Sequence, residues 1–140
     1  MECHIKHIAV YIALLLTAVF LVSCKQATFD EQCAKEAEKY TEKQCPIKVS
    51  EGVVLDSMTY SKSTRSLSYH YTVSGKLDDA ILIQNNINTI RNGLLKGISN
   101  SVELKQAKEE GIYFRYLYMS ASTHKQLAKI TISKSDYNKL

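Results

Sequence analysis

The stretch VVLDSMTYSKSTRSLSYHYTV, residues 53–73, decides the fold class. Its first part, Val53 to Ser61, is rich in β-branched and apolar residues, as a strand requires. From Leu67 onward the chain alternates: Leu67, Tyr69, Tyr71 and Val73 fall on one side, and Ser68, His70 and Thr72 on the other. A period of two marks a half-buried strand. The polar connection Lys62 to Ser66 is short enough for a hairpin, so the two segments are expected to pair antiparallel, with Gly75 closing the second.

Upstream of this hairpin, Thr28-Phe29-Asp30-Glu31 has the spacing of a capping box and predicts a helix over 29–43. Phe29, Cys33, Ala37 and Tyr40 make one apolar stripe on it, and Glu31 with Lys35 supports the wet face. Lys39 and Lys43 suit the negative end of the helix dipole, and Pro46 biases Cys45 out of helical geometry. Downstream, Asp78 and Asp79 open a second helix whose Ala80, Ile83, Ile87, Ile90, Leu94 and Ile98 keep helical spacing, with Gly97 as its expected terminator. A helical turn or two is expected from Val102 to Lys108, stopped by Gly111. Ile112 to Met119 is aromatic and apolar on both faces, as a central strand is, and Leu127 to Ser133 follows as its hairpin partner. The order helix, β-hairpin, helix, β-hairpin predicts an α+β fold. Its four-stranded, mainly antiparallel sheet would carry the helices on one face. The other face is expected to carry serines, threonines, His70 and some of the tyrosines.

With 140 residues there is room for one small domain, here 29–140. The net charge of +4 is spread along the chain, which argues against a nucleic-acid partner and against a polybasic membrane patch. One Pro, five Gly and no low-complexity tract fit a folded domain.

The residues that bear chemistry are few. His70, flanked by Tyr69 and Tyr71, could serve as a general base or a pocket contact, but a solvent-facing strand histidine is the plainer reading. His124 in a turn fares no better. No GxSxG elbow accompanies the serines, and neither GxGxxG nor a Walker loop is present, so no catalytic residue and no cofactor is assigned. Asp78-Asp79 reads as a helix start rather than a cation site. Cys33 and Cys45 lack a CxxC partner and nearby histidines, so no metal is expected. A helix over 29–43 would also hold Cys33 about 15 Å from its end, too far for an easy bridge to Cys45. The nine tyrosines suggest a rigid amphipathic contact surface, and Tyr69, Tyr71 and His70 are its candidate residues, with an envelope protein or a glycan as the partner.

The N-terminus reads as an address. Ile8 to Val22 is uncharged and follows Lys6, and as a helix it would span roughly 22 Å, short of the roughly 30 Å of a hydrocarbon layer. Leu21-Val22-Ser23-Cys24 resembles the lipobox of bacterial lipoproteins: an aliphatic residue at minus three, a small residue at minus one, then the thiol that carries lipid. The resemblance implies a signal peptide over 1–23, cleavage between Ser23 and Cys24, a lipidated tether over 24–28, and membrane attachment through acyl chains such as palmitate on Cys24. More than one chain on a cysteine gives durable anchoring. Lys6 and Glu2 cancel within the leader, so the mature chain keeps the charge of +4. In enterobacterial lipoproteins an Asp after the lipidated Cys retains the protein in the inner membrane. Lys25 therefore implies the outer membrane, facing the periplasm, in a Gram-negative host with that rule.

The mature part also resembles small bacterial lipoproteins that combine a lipobox, a short helix, a Cys-Pro step (Cys45-Pro46) leading into a strand, and a Tyr-x-Tyr-Thr strand (Tyr69-His70-Tyr71-Thr72). Some lipoproteins of comparable outline are phage-encoded superinfection-exclusion factors, which block the passage of a related phage's DNA at the membrane. The resemblance implies a non-enzymatic, membrane-anchored envelope domain that binds through its exposed sheet face. The alternatives are a small envelope hydrolase using His70 and a purely structural envelope lipoprotein.

Overall fold

The computed structural model describes residues 27–139. The leader 1–23, the Ser23–Cys24 junction and the first residues of the tether lie outside the described residues. Helix α1, Phe29–Gln44, begins at the expected capping box: the Thr28 hydroxyl accepts from the Glu31 backbone at 3.3 Å, and the Glu31 carboxylate accepts from the Thr28 backbone at 3.1 Å. It ends at Cys45, held extended before Pro46. Strands β1 (Ile47–Ser50), β2 (Val53–Ser61) and β3 (Ser66–Val73) follow as an antiparallel meander. The crossover consists of a 3₁₀ turn at Gly75–Leu77 and helices α2 (Ala80–Asn85), α3 (Ile87–Asn100) and α4 (Lys105–Glu109). Strands β4 (Tyr113–Ser120) and β5 (Gln126–Ile132) close the sheet, and the short helix α5 (Lys134–Tyr137) follows.

The fold is α+β, with a five-stranded mixed sheet in the order β1-β2-β3-β4-β5. Three of the four strand pairs are antiparallel, as expected, but the four-stranded expectation is corrected in two details. The extra strand, β1, has only four residues and is too short to show a period. The central pair β3 and β4 is parallel, from Ser66 opposite Tyr113 to Val73 opposite Ser120. A strand that leaves one end of a sheet and returns through a helical crossover re-enters in the same direction. The predicted second helix is also broken. Asn86 separates α2 from α3, and Gly97 lies inside α3, which runs on to Asn100.

The core lies between the sheet and the helices. Phe114 and Ile132 are fully buried, Ile98 and Ile112 nearly so, and Tyr116, Ile130 and Tyr137 pack with them. Burying each such side chain contributes about 1.5–3 kcal/mol. Side chains occupy a point on each side of the sheet. Past the end of β1, the Thr41 hydroxyl of α1 accepts from the Met58 N–H at 2.8 Å and donates to the Met58 carbonyl at 2.9 Å. On the far edge, the Gln84 amide donates to the Leu127 carbonyl at 2.9 Å. Both contacts occupy backbone groups that would otherwise invite another strand. Among the described residues no helix is long and apolar enough to cross a membrane.

Candidate binding faces

Strand alternation sends β3 and β4 side chains to two unlike surfaces. Toward the helices go Leu67, Tyr69, Tyr71, Phe114, Tyr116 and Tyr118; away from them go Ser68, His70, Thr72, Arg115, Leu117 and Met119. His70 and the pair Tyr69 and Tyr71 therefore do not form one binding surface, which corrects the expectation that grouped them. The tyrosines expected on the open face are on the helix side, apart from Tyr113 at the start of β4.

On the helix side the in-register parallel pairing builds a tyrosine stack. Tyr69 and Tyr116 lie 4.9 Å apart between ring centroids, Tyr116 and Tyr71 6.4 Å, and Tyr71 and Tyr118 5.1 Å. Such pairs contribute about 0.5–1.5 kcal/mol each beyond the area they bury. Burial pushes the Tyr69 phenol up to about 12, and burial raises Tyr71, Tyr116 and Tyr118 as well. Past Tyr69 the packing opens into a groove between α1 and the α3–α4 connection, with a volume of about 370 Å³. Met58, Leu67 and Tyr69 line it from the sheet, Cys33, Glu36, Ala37 and Tyr40 from α1, and Ser101, Glu103 and Leu104 from the far wall. The apolar stripe of α1 is thus only partly covered: Ala37 is buried, whereas Tyr40 is 38% exposed. Cys33 and Cys45 are both free thiols. Burial, then the neighbouring Glu36 and Asp30, push the Cys33 thiol up to about 11, so it stays protonated at neutral pH.

The opposite face of the sheet has no helix over it among the described residues. His70 Nε2 lies 2.9 Å from the Thr59 hydroxyl, across the β2–β3 pair. This joins an imidazole to a hydroxyl, but among the described residues no carboxylate hydrogen-bonds the ring to orient it, as a nucleophile–base pair would use. The register puts Lys48, Arg115 and Lys129 on the same face. None of the three forms an ion pair among the described residues. Arg115 reaches the Thr64 hydroxyl at 3.4 Å, and its Nε is buried without a hydrogen-bond partner. Asp56, the acid at the β2 bulge, accepts from the Thr72 hydroxyl at 2.7 Å.

The other candidates have structural roles. Asp79 caps α2 by accepting from the Ile81 and Leu82 N–H groups at 2.8 and 3.0 Å. Asp78 accepts from the Ser122 N–H at 2.9 Å, and hydrogen bonds from Ser120 and Ser122 hold its carboxyl below the usual range. His124 takes a left-handed backbone conformation in the β4–β5 turn. Among the described residues no group of three or more His, Cys, Asp or Glu could hold a metal ion. The sequence reading missed Arg115 and Lys129, although alternation within β4 and β5 carried the signal. It also missed the groove, whose Glu36 and Glu103 meet only in the folded chain.

A family model described as Domain of unknown function (DUF8479) matches residues 28–128. No curated protein matches the chain. The fold is similar to that of a crystal structure of a Pseudomonas aeruginosa protein inferred to be secreted. The TM-score is 0.64 and the identity 16%, over 80% of this chain and 99% of that one.

Proposed function

This chain belongs to the family described as Domain of unknown function (DUF8479), and from its two unlike faces and its N-terminal address we propose a lipid-anchored cell-envelope domain that binds rather than catalyses. The observation that carries the binding role is the open sheet face, where Lys48, Arg115 and Lys129 stand without ion-pair partners among serines and threonines. Unpaired cations on a rigid sheet suit an anionic envelope component, such as a phosphate- or carboxylate-bearing glycan or an acidic protein surface. The lipobox Leu21-Val22-Ser23-Cys24 supports anchoring through Cys24, and the inferred secretion of the Pseudomonas protein of like fold supports a place outside the cytoplasm. A superinfection-exclusion role is one specific form of this reading.

The test is retention on isolated cell envelopes of the domain from residue 27 onward, produced without Cys24 so that no acyl chain holds it. Lys48→Glu with Lys129→Glu, both at exposed positions, should lower retention about tenfold, the effect of losing about 1.4 kcal/mol of binding. Equal retention by the double variant would contradict the proposal. His70→Ala should leave the envelope phenotype unchanged; loss of activity with intact folding would favour the hydrolase alternative.

A further inference from the structure

We propose that the groove between α1 and the α3–α4 connection is a second binding site, separate from the open sheet face. Its ligand is a partner peptide segment that seats an apolar side chain against Met58, Leu67 and Tyr69 and sets an adjacent lysine or arginine beside Glu36 and Glu103. Two observations carry this. The floor is apolar and concave, and its volume of about 370 Å³ lies toward the small end of the range for ligand clefts, room for a side chain or two. The two carboxylates come from opposite walls, and neither forms an ion pair among the described residues.

The surrounding charges agree with a cationic ligand. Lys108 packs against the far wall with its ammonium committed to the carbonyls of Ile98, Ser99 and Ser101 at 3.0, 2.8 and 3.0 Å. Lys39 and Lys43 lie along the outer flank of α1 and do not line the groove. A tyrosine face beside carboxylates is a combination that attracts Lys and Arg. An anionic ligand would meet Glu103 on the far wall and Glu36 on α1, with Lys39 and Lys43 only on the flank beyond Glu36, and a bare acyl chain would desolvate both carboxylates without compensation.

The experiment titrates the full-length anchored protein in nanodiscs with two capped peptides, one carrying leucines flanked by lysines and one with glutamates in place of the lysines. The lysine peptide should bind, and Glu36→Lys with Glu103→Lys should weaken it at least about tenfold. Circular dichroism of that variant should match the parent, because both positions are exposed. Lys48→Glu with Lys129→Glu should leave the affinity unaltered within about twofold, so failure here and failure of the open-face proposal are separable. Equal binding of both peptides, or unchanged affinity after charge reversal, would overturn the proposal. Displacement of the lysine peptide by sodium laurate without any effect of charge reversal would also overturn it and assign the groove to an acyl chain.

Discussion

Single side chains hold this fold at places where the backbone would otherwise be left unpaired. The Thr41 hydroxyl satisfies both backbone groups of Met58 at the open edge of β2. Thr41→Val removes both bonds while keeping the shape, and should cost about 1–2 kcal/mol, read as a lower midpoint in thermal denaturation. Thr41→Ser should keep most of that stability; equal stability of the valine variant would show that water serves the edge as well. Gly52 has φ +75°, and an added Cβ would approach the Ser74 carbonyl oxygen to 2.7 Å. Gly52→Ala should therefore destabilise by at least about 1–2 kcal/mol in chemical denaturation. These roles were not legible in the sequence, because a threonine on a helix and a glycine in a turn acquire them only through partners such as Met58 and Ser74, distant along the chain. Thr28 and Asp79 were legible, since a cap is written within a few residues of itself.

At the scale of elements, local periodicity revealed β2, β3, β4, β5 and α1, and failed where tertiary packing decided. The glycine at position 97 read as a helix end, yet it lies inside α3 with nothing within 4 Å of its built Cβ. Gly97→Ala should therefore stabilise the protein by about 0.5–1 kcal/mol in urea denaturation, whereas a glycine in a left-handed terminator would give the opposite sign. The parallel pairing of β3 and β4 could not be read from either strand, because alternation shows which side chains share a face and not which way the neighbour runs. Its consequence is the tyrosine stack, whose phenols are raised by burial, Tyr69 to about 12. A folded value above the unfolded value near 10 means that the stabilisation is complete below pH 10 and is lost as pH rises through the folded value. A phenolate absorbance titration should show these tyrosines ionising only well above pH 10, together with loss of near-ultraviolet circular dichroism. Ionisation of the stack near pH 10 in a protein that stays folded would contradict the packing described.

For the whole molecule, the sheet divides two chemistries. One face offers Lys48, Arg115 and Lys129 among hydroxyls, and the other a tyrosine-floored groove flanked by Glu36 and Glu103. The hydroxyls and His70 of the open face were legible from alternation in β3, whereas its cations Lys48, Arg115 and Lys129 were not singled out, and the groove was not legible because α1 and the α3–α4 connection meet over β2 and β3 only after folding. A domain with two such faces is useful as a bridge if it is held at a surface, and the proposed anchor at Cys24 lies only a few residues before the cap of α1. That anchor is the claim on which the envelope role depends. Its most direct test is metabolic labelling with an alkyne-bearing palmitate analogue, comparing the parent chain with Cys24→Ser. The account predicts a labelled, membrane-bound parent protein and an unlabelled variant that is released or left uncleaved; label persisting in Cys24→Ser, or absent from the parent, would contradict it.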